Sequence, residues 1–170
     1  MKPTPPPKNT QPGLGRGRVQ IALRRLFSLA VEVTTGEILP IGADNAQEIE
    51  RGISAVAREP NSGLIVVPIP TTTMHHDLIV KLANSHRIPA VYPSRMYVAD
   101  GGLVSYGWDV VDQYRSAASY VDRILRGKEP ADLPVQAPVK YDLIINLKTA
   151  KAIGLDVPPT LLARADEVIE

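Results

Sequence analysis

The chain has 170 residues, 19 Lys and Arg against 18 Asp and Glu, and no cysteine. A net charge of +1 is not the basic excess of a nucleic-acid binder, and without thiols no disulfide framework or thiolate metal site exists. The length suits one domain able to bury roughly 70% of its unfolded surface, and a cysteine-free chain fits either the cytosol or the periplasm.

Residues 1–18, MKPTPPPKNTQPGLGRGR, differ in kind from the rest. Five of the first twelve are proline, and every charged side chain (Lys2, Lys8, Arg16, Arg18) is basic. Proline removes backbone donors, and nothing in the stretch buries apolar surface, so a disordered tail is expected over 1–18. GLGRGR has no strand before it, which makes it a poor phosphate loop. Arg16, Arg18, Arg24 and Arg25 lack aromatic interleaving apart from Phe27, so they read as a solvated basic arm. VQIALRRLFSLAV is interrupted by two arginines and fails as the apolar core of a signal peptide. No run approaches the ~18 apolar residues of a membrane span, so no membrane insertion is expected.

From residue 20 onward strand and helix alternate. IALRRLFSLA reads as a short helix and VEVTTGEIL, β-branched and alternating, as a strand. Asp44 with Gln47 resembles a capping box before a helix bearing Ile49, Ile53, Val56 and Ala57. LIVVPI is a continuous apolar run between breakers, the mark of a strand covered on both faces. PTTTMHHDLIVKLANSHR follows as a helix capped by Thr72 or Thr73, with Leu78, Ile79 and Leu82 inward. IPAVYP and GGLVSYG are short strands. Asp109 opens the longest helix, to about Arg126, striped by Val111, Tyr114, Ala118, Val121 and Leu125. GKEPADLPVQAP is a connector and YDLIINL a strand. Asn146 caps the short helix KTAKAIGL, stopped by Gly154, and PPTLLARADEVI reads as a last helix. The alternation predicts a mostly parallel sheet covered by helices, whose ligands sit beyond the carboxyl ends of the strands.

Two places invite chemistry. A helix start at Thr71, Thr72 and Thr73 offers N–H groups and hydroxyls to a carboxylate or phosphate. His75, His76 and His86 do not form a metal set, because adjacent helical residues diverge by about 100°. No Gly-x-Ser-x-Gly or paired carboxylates occur, so no catalytic residue, metal or cofactor is assigned.

Two stretches, IPAVYPSRMYVADGGLVSYGWD and INLKTAKAIGL, carry a resemblance that covers residues from about 28 to 170 and runs through DVPPTLLARADEVIE. The chain is similar to the C-terminal half of ABC-transporter substrate-binding proteins, in the branch related to tryptophan- and phenylalanine-binding lipoproteins. The resemblance implies an α/β fold: a Rossmann-like parallel lobe of a type I periplasmic binding protein, incomplete. It divides the chain into the tail (1–18), a ligand-binding lobe lacking its usual first strand (19–107), and a segment (108–170) whose hinge crossing, long helix and terminal strand–helix belong to the other lobe. RVQIAL (18–23) is the segment able to stand in for the missing strand.

The implied function is the capture of a small organic solute, amino-acid-like or an aromatic or carboxylate compound, in an interlobe cleft for ABC import, with a permease as partner in the intact family. By resemblance, YPSR follows a strand facing the cleft and SYGWD is a hinge crossing beside it. The chemistry agrees. Tyr92 and Tyr106 offer flat faces with a hydroxyl, and Arg95 suits a carboxylate. Asp109 suits an amino group or a helix cap. Gly101, Gly102 and Gly107 suit a hinge, and Trp108 suits either core or platform. The expected ligand contacts are therefore Thr71, Thr72, Thr73, Tyr92, Arg95, Tyr106 and Asp109. The resemblance implies export to the periplasm, whereas the chain as written carries no signal peptide and would stay in the cytoplasm. Members are commonly about twice this length, which reads as truncation. The rivals are a partner-dependent or non-functional fragment of such a protein and a small α/β enzyme.

Overall fold

Seven strands form one sheet in a computed structural model that describes residues 18–21 and 37–170. The strands are β1 (Arg18–Ile21), β2 (Glu37–Pro40), β3 (Ser62–Ile65), β4 (Ala90–Tyr92), β5 (Val104–Trp108), β6 (Tyr141–Asn146) and β7 (Glu167–Ile169). Their order is β2-β1-β3-β4-β5-β6-β7, and only the β5–β6 pair is antiparallel. The tail up to residue 17, its glycine loop, and the helix expected over 21–30 lie outside the described residues, apart from Ile21 at the end of β1.

The interior place next to β3 is filled. Val19 registers with Ile38 on one side and Gly63 on the other, so RVQI supplies the strand that the lobe was expected to lack. An empty interior position would strand the backbone donors and acceptors of both neighbours, each orphan costing about 1–3 kcal/mol.

The helices are α1 (Ala46–Val56), α2 (Pro70–Met74), α3 (His76–Ser85), α4 (Arg95–Ala99), α5 (Val110–Leu125), α6 (Leu147–Ile153) and α7 (Pro159–Leu162). The cap of α1 sits one residue later than the sequence suggested. Asn45 accepts from the Glu48 N–H at 3.0 Å, and Glu48 accepts from the Asp44 N–H at 3.3 Å. Ile49, Ile53 and Val56 of α1 pack with Ile79, Val80 and Ala83 of α3 over Leu64, Val66 and Ala90 of the sheet region. Each such side chain contributes about 1.5–3 kcal/mol on burial.

The last third corrects the expected division at residue 107. β6 and β7 continue the same sheet, and Ile144, Ile145 and Ala150 are buried in it. The Asn146 N–H donates to Leu103 O at 2.8 Å, and the Thr149 hydroxyl to Gly101 O at 2.8 Å. The terminal strand and helix therefore belong with the first body rather than with another lobe. The final segment is not one helix either. α7 is a single turn, after which Asp166 exchanges bonds with Leu143: its N–H donates to Leu143 O, and its carboxylate accepts from the Leu143 N–H, both at 2.8 Å. That clamp sets β7 beside β6. The long helix α5 has no buried residue, and neither has the single turn α7.

Gly107 fixes how closely β5 approaches the turn after β4. A Cβ there would lie 1.9 Å from the Pro93 carbonyl oxygen, a backbone atom that cannot swing away. Gly107→Ala is expected to lower unfolding free energy by about 2–3 kcal/mol, read as a reduced urea midpoint with unchanged slope.

Candidate functional site

The turns that follow β3, β4 and β5 lie at one end of the sheet, because those three strands are parallel neighbours. Those turns, with the strands β4 and β5 that lead into them, hold every residue the sequence proposed, though not all of them face outward.

After β3, Pro68-Ile69-Pro70 breaks the strand and α2 starts. Thr72 is 1% exposed. Its hydroxyl donates to Val67 O at 2.6 Å, with Ile69 O at 3.0 Å, and accepts from the Ile69 N–H at 3.2 Å. Thr72 therefore closes the turn from inside, and only half-buried Thr71 and exposed Thr73 remain at the surface. The single helix expected here is two. At the break the Thr72 carbonyl accepts the Tyr97 hydroxyl at 2.9 Å, and the Thr73 carbonyl faces His76 Nδ1 at 3.0 Å. Side chains take two carbonyls that a continuous helix would use. α2, with five residues and proline first, presents little of the N-terminal donor set expected of a long helix.

After β4, Tyr92 is 1% exposed, so it is a core residue and not a rim platform. Its ring stacks on Tyr97 at 5.1 Å with planes 20° apart. Gly102 makes this possible, since a Cβ there would sit 2.6 Å from the Tyr92 ring and 2.7 Å from Tyr97 O. The Tyr92 hydroxyl has no hydrogen-bond partner among the described residues. Burial, followed by the neighbouring Tyr97, pushes it far above the usual phenol range, and burial likewise raises Tyr97. Arg95, at the start of α4, is exposed. Its Nε and Nη2 donate to the two carboxylate oxygens of Glu167 at 2.8 and 2.6 Å. Those bonds hold the Glu167 carboxyl below the usual range.

Along β5, Tyr106 is 59% exposed and stacks on Tyr141 at 5.5 Å with planes 18° apart. Trp108 lies opposite Tyr141 in the antiparallel register and is partly exposed, so it belongs to the platform rather than the core. Asp109 caps α5: one oxygen accepts from the N–H groups of Val111 and Asp112 at 2.9 and 3.1 Å. The other accepts from Lys140 Nζ at 2.6 Å. The Lys140 hydrogen bond, then those backbone donors, hold the Asp109 carboxyl low.

The structure thus leaves Thr71, Thr73, Arg95 and Tyr106 on the surface, turns Thr72 and Tyr92 inward, and engages both oxygens of Asp109. Sequence reasoning missed Glu167, Lys140 and Tyr141. The first was hidden by reading its segment as helix. Tyr141 follows only once β6 is known to run antiparallel beside β5. Of the histidines, His76 also places Nε2 2.9 Å from Asp100. Among the described residues no group of three or more His, Asp or Glu side chains is placed to hold a metal.

Comparison with known proteins places residues 22–169 on the family model described as ABC transporter substrate binding protein. A tyrosine-binding protein of Clostridioides difficile is 26% identical over 125 residues, covering 70% of this chain and 34% of that protein. A conserved domain protein from Vibrio cholerae superposes with a TM-score of 0.79 at 23% identity, over 90% of this chain and 54% of the other. An ABC domain from Streptococcus pneumoniae in complex with L-Trp gives 0.78 at 20% identity, over 90% and 56%. The chain therefore spans about a third of the curated relative and about half of each solved structure. The two structural likenesses identify the fold, an α/β sheet of the periplasmic-binding type.

Two tyrosines in contact should respond oppositely to loss of the hydroxyl. Tyr97→Phe leaves the Thr72 carbonyl unpaired and should cost about 1–3 kcal/mol, whereas Tyr92→Phe removes an unpaired buried hydroxyl and should be neutral or stabilising. A raised phenol value means that stability is complete below the unfolded value of about 10 and is lost as pH rises beyond it. Denaturant titrations from neutral to alkaline pH should show that loss, diminished in Tyr92→Phe.

Proposed function

We propose that this chain, which belongs to the family of ABC transporter substrate-binding proteins, holds an amino-acid-like solute with an aromatic body at the end of the sheet formed by β3, β4 and β5. The observation that carries this reading is the family match over residues 22–169, on a chain whose parallel strands end in outward-facing Thr71, Thr73, Arg95 and Tyr106. Relatives described as tyrosine-binding and as an L-Trp complex favour an aromatic amino acid. Tyr106, already stacked on Tyr141, offers a flat platform beside Trp108. Thr71 and Thr73 offer hydroxyls, and Arg95 a planar fork for the carboxylate. Thr72 and Tyr92 act from behind, by fixing the turns.

Glu167 is not an obstacle to the arginine's role. An exposed ion pair is worth about 0–1 kcal/mol, so exchanging one carboxylate for another costs little. In a protein of the relatives' length a second α/β body would form the facing wall, and the solute would favour the closed arrangement through contacts with both. The family's members bind rather than catalyse, and this reading includes no chemical step. Delivery to an ABC permease outside the cytoplasmic membrane is part of the same proposal. Among the described residues no helix is long and apolar enough to cross a membrane.

Calorimetric titration of the folded chain with L-tryptophan and L-tyrosine tests the reading. Heat is expected with at least one of them, and Tyr106→Ala and Arg95→Ala should each weaken binding about tenfold or more. A folded sample that gives no heat with either amino acid would overturn it.

A further inference from the structure

Arg95 and Glu167 stand 72 residues apart in the chain, and the fold joins them in one specific geometry. Nε and Nη2 of the arginine donate to the two carboxylate oxygens at 2.8 and 2.6 Å. That two-pronged approach is the one a guanidinium offers to any free carboxylate. The place matters as much as the pairing. Glu167 registers with Ile144, Ile144 with Ser105, and Ser105 with Tyr92, the last residue of β4. Glu167 is therefore level with the end of β4, and Arg95 comes just beyond that end, after Pro93 and Ser94.

Both elements have other anchors. The Asp166 N–H and carboxylate clamp Leu143, each at 2.8 Å, and β7 pairs with β6 through its backbone. α4 is held by the Tyr97 hydroxyl on Thr72 O and by Val98 O, which accepts from Asn146 Nδ2 at 3.3 Å. Arg95 adds nothing to its own helix. It opens α4, whose first turn has no acidic residue, and a cation at a helix start opposes the backbone dipole. An anion beside it relieves that opposition, and Glu167 supplies one.

We propose that Glu167 is an internal stand-in for the carboxylate of the solute: it occupies the Arg95 fork until a solute displaces it, and so sets the affinity of the site. This inference rests on the solute-binding reading above and adds to it the residue that competes with the ligand. A carboxylate tethered to the sheet meets the fork at high effective concentration, so a small free carboxylate with no other contact does not hold it. The pair is solvent-exposed and correspondingly weak, so an amino acid with further contacts for its body replaces it. The displaced carboxylate returns to water while Asp166 keeps β7 in place. A solute whose carboxyl is an amide has nothing to exchange and leaves the ion pair intact.

Calorimetry at low ionic strength tests this, with L-tryptophan, L-tyrosine and L-tryptophan amide as ligands and far-UV circular dichroism as the folding control. Glu167→Gln keeps the side-chain shape and removes the charge. It should bind the amino acid about two- to fivefold more tightly than the unaltered chain, and the amide equally. Glu167→Asp, which withdraws the carboxylate by one methylene, should shift amino-acid affinity in the same direction and serves as a second variant. In Arg95→Ala, adding Glu167→Gln should change nothing, because the contested fork is gone. Equal or weaker amino-acid binding by Glu167→Gln, a matching gain for the amide, or a gain that persists without Arg95 overturns the inference and leaves the binding reading standing. No heat with either amino acid, from both the unaltered chain and folded Glu167→Gln, overturns the two together.

Discussion

The hydrogen bond from the Tyr97 hydroxyl to the Thr72 carbonyl, 2.9 Å long and buried, ties the turn after β3 to the helix after β4. Around it the Thr72 hydroxyl closes its own turn and Tyr92 stacks on Tyr97. Gly102 and Gly107 supply the space, one under the tyrosine rings and one against Pro93. Turns at strand ends are ordinarily the freest parts of an α/β fold. Here three adjacent ones are joined through a common core, so outward groups on them keep fixed relations. A binding surface depends on that rigidity, because ordering loose side chains at the moment of capture subtracts from affinity.

What remains on the surface is chemically divided. Tyr106, Tyr141 and Trp108 give an aromatic patch on one pair of strands. Arg95 gives the cationic fork, at present satisfied by Glu167. Asp109 and Lys140 neutralise one another where β5 passes into α5. In the proposed reading the aromatic patch takes the flat body of the solute and Arg95 its carboxylate.

Much of the architecture is legible in the sequence because the signals are local. LIVVPI marks the region of β3, although the strand itself is Ser62–Ile65 and takes in only Leu64 and Ile65 of that run, while Asn146 and Gly154 bracket α6 and Asp109 marks the start of α5. The positions of Thr72 and Tyr92 were not legible. A threonine after a strand looks alike whether its hydroxyl turns out to solvent or back to Val67 O, and only tertiary packing chooses. The pairing of β7 with β6 was hidden for the same reason, since three residues carry too little periodicity to compete with a helical pattern. The role of RVQI as an interior strand was visible only as a candidate, because its justification is the gap between β2 and β3. Family likeness supplied the proposed binding function, and the structure shows which of the expected side chains stay at the surface.

The central claim is that solute is held where β3, β4 and β5 end. Backbone amide shifts recorded by NMR during titration with L-tryptophan address it most directly. The account predicts changes concentrated at Thr71, Thr73, Arg95 and Tyr106, with α5 and its connector unmoved. Shifts confined to the hollow between α5 and residues 133–139, or none at saturating ligand, would contradict it.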